Sequence, residues 1–238
     1  MDREPKARVA VVTGGTGGLG RSVVKLLLEE GLRVHVPWRS EAEARELAAL
    51  VRAPRPDLTL AEADVTDPAS VQSWFASVGA KEGRLDVLCN LVGGFSAGGI
   101  AETEPEGWER MVRLNATSAF LCCRAAVPLL AESGGGRIVN VTALPALERG
   151  GPGMSAYAAS KAALLSLTHS LSRELREQGI TVNAVAPEIL DTAANRRAMP
   201  EADTSGWLRA EDVARVIAFL AGPHGRVVTG SVLALARV

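Results

Sequence analysis

The sequence is poor in the side chains from which many sites are built. It has one tyrosine, three histidines and three cysteines in 238 residues, and aromatic residues make up only 4%. His35, His169 and His224 lie far apart without ligand spacing, which argues against a metal site. Cys89, Cys122 and Cys123 are an odd, scattered set in apolar surroundings. That pattern reads as reduced core thiols of a cytoplasmic protein, not as a disulfide framework. Neither sign of charge is in excess, the net being -1, and no basic run offers a surface to nucleic acid. The longest apolar stretches read as too short for a membrane span, and the charged start MDREPKAR lacks the apolar core of a signal peptide. Repeats and low-complexity linkers are missing too. What remains is a chain with 47% hydrophobic residues, enough for one large α/β domain over residues 1–238.

The single tyrosine stands in a suggestive place. Tyr157 and Lys161 lie four apart in a stretch rich in Ala, Leu and Ser, which reads as a helix from Met154 onward. On a helix that spacing puts phenol and ammonium on one face. A nearby cation is expected to lower the tyrosine pKa and to make the phenol a proton donor or acceptor near neutral pH. The same spacing is also met in ordinary solvated helix faces, so the pair gains meaning only from its context.

That context is a regular alternation. RVAVVT is a short buried strand that ends in TGGTGGLG, after which Leu19, Val23, Val24, Leu27 and Leu28 begin a helix. Strand, glycine-rich turn and helix form a cradle in which backbone N–H groups and the helix N-terminus face a pyrophosphate. Two spacings are open: Gly14, Gly18 and Gly20, or Gly15, Gly17 and Gly20. The second strand, LRVHVP, ends without the acid that would bond ribose hydroxyls. Arg39 and Ser40 stand there instead and suit a 2′-phosphate, although Ser40 also fits as the N-cap of the helix EAEARELAAL. NADP(H) is therefore favoured over NAD(H). Further strands follow at DLTLAEADV, LDVLCNLVGG, GGGRIVNVTAL, GITVNAVAP and VVTGSVLALA, with helices between them, one of them capped at Asp67 with Pro68 in its first turn. The expectation is a single-domain Rossmann-type, doubly wound parallel sheet of about seven strands, order 3-2-1-4-5-6-7. A substrate lid is expected at about 188–209, over the carboxyl ends of the strands.

Taken together, TGGTGGLG, Asp64-Val65, CNLVGG, Asn115, Tyr157-x-x-x-Lys161 and VNAVAP resemble the short-chain dehydrogenase/reductase family, in order and spacing, over essentially the whole chain. The resemblance implies a nicotinamide cofactor at Gly14, Thr16, Gly18, Leu19 and Gly20. It implies that Asp64 and Val65 meet the adenine, that Asn90 and Gly93 line the groove, and that Pro187, Ile189 and Thr192 meet the nicotinamide end. Tyr157 would be the proton donor, Lys161 would hold the nicotinamide ribose, and Asn115 would hold a water in the proton relay. It also implies a homodimer or homotetramer acting on a small molecule.

The departures bear on the substrate. The family's serine, about 13 residues before the tyrosine, falls on Ala143 or Leu144, neither of which has a hydroxyl. Thr142 is the nearest replacement and Ser155 a weaker one. One branch of the family, quinonoid dihydropteridine reductase, works without that serine. This chain is similar to it in PGM before Tyr157, in GGFSAGG and in LDTAANRRAMPEADTSGW. A quinonoid pterin is an extended imine system that needs less carbonyl polarisation. Three readings stand: a reductase with such a site, a 3-oxoacyl or carbonyl reductase using Thr142, and a nucleotide-binding sensor with little catalysis. Phe95, Leu144, Met154, Leu190, Met199 and Trp207 are expected to form an apolar pocket wall.

Overall fold

Seven runs dominated by Val, Ile, Leu and Ala become strands: β1 (Val9–Thr13), β2 (Arg33–Trp38), β3 (Leu58–Glu62), β4 (Val87–Asn90), β5 (Gly136–Val141), β6 (Ile180–Pro187) and β7 (Val232–Leu235). The structure is a computed structural model and describes residues 7–148 and 150–237. All seven strands pair in parallel in the order 3-2-1-4-5-6-7, as the alternation along the chain predicts. Strands β1, β4 and β6 are buried along their whole length, as a sheet covered on both faces requires.

The α-helices longer than one turn are α1 (Gly18–Glu29), α2 (Glu41–Leu50), α3 (Pro68–Glu82), α4 (Pro105–Glu132), α5 (Ser155–Glu174), α6 (Ala193–Ala198) and α7 (Ala210–Ala221), and a single turn at Leu144–Leu147 follows β5. Leu27, Leu47 and Ile217 of α1, α2 and α7 meet one face of the sheet. Phe75, Leu130 and Leu175, from α3, α4 and the end of α5, meet the other. Local chemistry sets the helix starts. Asp67 accepts the Ser70 N–H at 2.7 Å with Pro68 behind it, and Ser40 accepts the Glu43 N–H at 3.4 Å.

Two features depart from the sequence reading. Helix α4 is long and apolar enough to cross a membrane by length and composition, against the expectation that no stretch is. Its Leu121, Cys122, Cys123 and Leu130 are spent on the sheet, which makes it a core helix of this fold. The segment 188–209, expected as a lid, carries its own strand pair besides a short helix. Leu190–Asp191 and Leu208–Arg209 pair in parallel as a small ladder of their own, with α6 between them.

Candidate active site

The carboxyl ends of β4, β5 and β6 open into a cleft of about 690 Å³. Phe95, Leu144, Met154, Leu190, Met199 and Trp207 all line it, as expected. Tyr157 and Lys161 line it too, one turn apart on α5. Phe95 packs edge-to-face on the phenol, ring centres 4.9 Å apart. Lys161 is buried, and its Nζ donates to the Val141 carbonyl at 2.8 Å rather than to the phenol.

Burial changes the expected proton chemistry of this pair. It pushes the Lys161 ammonium down to about 8 and pushes Tyr157 above the ordinary tyrosine value. The expected lowering of the phenol by the lysine is therefore not met. Burial of the phenol is the cause, and the Lys161 ammonium, turned to Val141 O, does not offset it.

Asn115 lies behind the cleft wall rather than in it, at a backbone irregularity, with its amide bonded within the chain instead of being turned to the cleft. The stretch Arg113–Thr117 of α4 is a single π turn, with Asn115 fully buried at its centre. Asn115 Oδ1 accepts the Gly94 N–H at 2.9 Å, and its Nδ2 donates to Gly94 O at 3.0 Å and to Ser160 Oγ at 3.0 Å. The amide thus clamps the strand-end loop onto α4 and α5. Gly93 must be glycine here, because a Cβ would lie 2.7 Å from Asn115 Oδ1 and 2.9 Å from Lys161 Nζ.

Two candidates do not take the roles expected of them. Thr142 lines the cleft, but its hydroxyl donates to the Lys161 carbonyl at 3.0 Å and is buried. Its single proton is committed to fixing α5 on β5. Ala143 and Leu144, also in the cleft wall, have no side-chain donor. Asn90 is 3% exposed and turns inward, donating to Asn140 Oδ1 at 2.9 Å and to Cys123 Sγ at 3.4 Å. It braces β4 against β5 and α4 instead of lining the groove. Ser155 is exposed at the first turn of α5.

The glycine-rich turn lies beside the cleft, at the carboxyl end of β1. Gly14 has φ +67°, and a Cβ on Gly20 would sit 2.0 Å from Gly14 O, so both positions require glycine. Leu19 reaches the cleft from the first turn of α1. Pro187 and Ile189 close the far side. Thr192 caps α6 through the Asn195 N–H, and its methyl lies over Gly18, so the 188–209 segment touches the start of α1.

The outer edge holds an ion network that sequence spacing did not show. Arg39 Nε lies 3.5 Å from Asp64 Oδ2, while Asp64 Oδ1 accepts from Thr66 N and Oγ1. Val65 is buried in the core beneath them. Thr16 Oγ1 donates to Glu43 Oε2 at 3.0 Å, which brings a carboxylate from α2 onto the glycine turn. Nothing in the sequence marks Glu43, whose link to Thr16 is purely tertiary. Glu148 and Glu188 line the mouth of the cleft and were likewise missed.

Comparison with known proteins gives this geometry relatives. The family model for short chain dehydrogenase matches residues 8–203. The chain is 32% identical over 231 residues to the 2,5-dichloro-2,5-cyclohexadiene-1,4-diol dehydrogenase LinX of Sphingobium indicum, covering 94% of this chain and 92% of that one. It is 34% identical over 241 residues to the rhamnolipids biosynthesis 3-oxoacyl-[acyl-carrier-protein] reductase of Pseudomonas aeruginosa, covering 95% and 93%. The solved structure of ElxO with NADP bound superposes with a TM-score of 0.89 at 27% identity, over 96% of this chain and 97% of that one.

Proposed function

Because the chain belongs to the short-chain dehydrogenase family and is an oxidoreductase, we propose that it is an NAD(P)H-dependent reductase of a small cyclic substrate of the quinonoid dihydropterin kind. The observation that carries the reading is the end of β5. Thr142 is spent on Lys161 O, and Ala143 and Leu144 bring no hydroxyl. A carbonyl substrate would lose the donor that stabilises its developing oxyanion, a loss of about 3 kcal/mol. An extended imine asks less of that position.

The residues present fit a nicotinamide dinucleotide. The Gly14–Gly20 turn and the start of α1 offer N–H groups to a pyrophosphate, and the closeness of Gly93 to Lys161 leaves a path that a Cβ would block. Such a cofactor supplies hydride when bound. Lys161, fixed through Val141 O and Thr142, would hold the nicotinamide ribose. Tyr157, kept protonated by burial, would deliver the proton at its hydroxyl. Asn115 holds the Gly94 loop and α5 in register for both. The 188–209 segment would act as a lid, with Leu190, Met199 and Trp207 excluding water.

NADPH is the preferred cofactor in this reading. Arg39 and Ser40 supply a fork and a hydroxyl to a 2′-phosphate, provided that the phosphate draws Arg39 off Asp64. Glu43 opposes the same phosphate, so the preference rests on a balance of charges. Trp108 and Phe120, large and exposed on α4, support self-association as a homodimer or homotetramer. Three unbridged, buried cysteines suit the cytoplasm.

A second reading, a 3-oxoacyl or carbonyl reductase, is favoured by the name of the Pseudomonas relative. It requires Thr142 to leave Lys161 O. The test is NADPH and NADH oxidation with a quinonoid dihydropterin, a 3-oxoacyl ester and an activated diketone side by side. Turnover of the pterin is expected to exceed that of the other two, and Tyr157→Phe to lower it about 10²- to 10⁴-fold with cofactor affinity unchanged. Preference for the oxo compounds, lost in Thr142→Val, would establish the second reading instead.

A further inference from the structure

One hydrogen-bond donor on the cleft wall is used neither by the fold nor by the chemistry described so far. Thr142 donates to Lys161 O, Lys161 Nζ to Val141 O, and Asn195 Nδ2 to Leu190 O at 2.8 Å. Glu148 and Glu188 present acceptor oxygens. Tyr157 and Trp207 are left, each with a proton that meets no acceptor among the described residues. The phenol has its task as proton donor. The indole does not.

Trp207 is only 7% exposed, and a buried indole N–H ordinarily finds a partner. Its Nε1 is not among the atoms shut off from solvent, and the open space that Trp207 lines is the cleft. Leu144, Met154, Leu190 and Met199 share that wall and offer an N–H nothing better than a thioether. The backbone that carries the indole is braced. Trp207 N donates to Thr204 O at 3.1 Å, and Leu208 N to Ile189 O at 2.9 Å, where the ladder pairs Leu190 with Leu208. Just before it, Asp203 accepts from Ser205 N and Oγ, both at 2.8 Å. A donor on so braced a turn has a fixed place, which is what selection among ligands needs.

We infer that Trp207 binds the substrate directly and sets its specificity: Nε1–H donates to an exocyclic oxygen on the substrate's conjugated ring, at an atom other than the one Tyr157 protonates. The inference rests on the proposed reduction of a pterin-type ring, whose oxo group is such an acceptor. A flat ring that fills the cleft displaces water from Nε1. A ring without an acceptor at that edge leaves the N–H unpaired and binds about 10-fold more weakly.

The test separates binding from turnover. Oxidised pterin is titrated into protein saturated with NADP+, where no hydride is available, and the pterin fluorescence gives a Kd. Trp207→Phe keeps an aromatic ring and removes the N–H. It is expected to raise that Kd about 10-fold with NADPH affinity unchanged, while Trp108→Phe on α4 leaves it as in the wild type. Nitrogen-15 spectra of the wild type give a second measurement should Trp207→Phe fold poorly. The chain has four tryptophans, Trp38, Trp74, Trp108 and Trp207, so the Trp207 indole signal is assigned by elimination with Phe at each of the other three. That N–H signal is expected to move downfield on saturation with pterin. Equal Kd values in wild type and Trp207→Phe, an indole signal that stays in place, or a wild type that does not bind pterin each overturn the inference. Pterin binding through Trp207 without turnover of the quinonoid dihydropterin would sink the proposed reduction and leave the inference standing.

Discussion

The two halves of the functional edge are built on different physics. Around Tyr157, Lys161 and Asn115, nearly every donor is buried and already bonded within the chain: Lys161 to Val141, Thr142 to Lys161, Asn115 to Gly94 and Ser160. Around Arg39, Asp64 and Glu43 the groups are charged and largely solvated, with Arg39 63% exposed and its partner 3.5 Å away. The buried half sets what chemistry is possible, because any change there leaves an unsatisfied group or a void. In the proposed function, the exposed half would adjust which cofactor is preferred, through interactions worth little singly and open to substitution.

If that division holds, a change at Lys161 has the largest effect. Lys161→Met is expected to lower reductase activity at least about 10²-fold while relieving a burial cost. The folded pKa of about 8 lies below the unfolded value of 10.5, so between them the unfolded chain holds the extra proton. Stability therefore rises with pH across that window, by about 3 kcal/mol for the full shift, and is lost as pH falls back through 8. Denaturant melts at pH 7.5 and 10.5 are expected to show this rise in the wild type and not in Lys161→Met. An equal pH response in both would show that the ammonium is not desolvated.

An intermediate effect is expected at the seam between the halves. A Cβ at position 20 meets Gly14 O and Gly15 Cα, so the turn must open to accept it. Gly20→Ala is expected to weaken cofactor binding about 10- to 100-fold and to cost about 1–3 kcal/mol of stability. Fluorescence titration with NADPH alongside a thermal melt reads both quantities, and unchanged affinity would remove the turn from the binding site.

The smallest effect belongs to the exposed edge. Glu43→Gln removes the carboxylate held by Thr16 and is expected to raise the kcat/KM ratio of NADPH to NADH by about fivefold. A fall in the ratio would mean that Glu43 positions Thr16 for phosphate instead of repelling it.

The sequence was most informative where structure is local. Apolar runs, glycine stops and the caps at Ser40 and Asp67 mark the elements and their order, and with them the placing of Tyr157 and Lys161. It was silent where a side chain at a strand end has two directions to choose from. Thr142 and Asn90 both lie at carboxyl ends of strands, yet their polar atoms are used to join elements. The raised phenol pKa depends on Phe95 and on walls distant in the chain. Glu43 reaches Thr16 across 27 residues because α2 and α1 share one face of the sheet, which no motif encodes.

The π turn in α4 has a further consequence, in the phasing of a screw. An α-helix advances each residue by about 100°, so one surplus residue at Arg113–Thr117 offsets everything after it against everything before. Asn115 is presented to the Gly94 loop while Leu121, Cys122 and Leu130 still land on the sheet. Removing a single residue there would satisfy the backbone as ordinary helix and yet rotate one of the two sets off its target. The irregularity works as a phase shifter, letting one rod serve two surfaces that do not share its pitch.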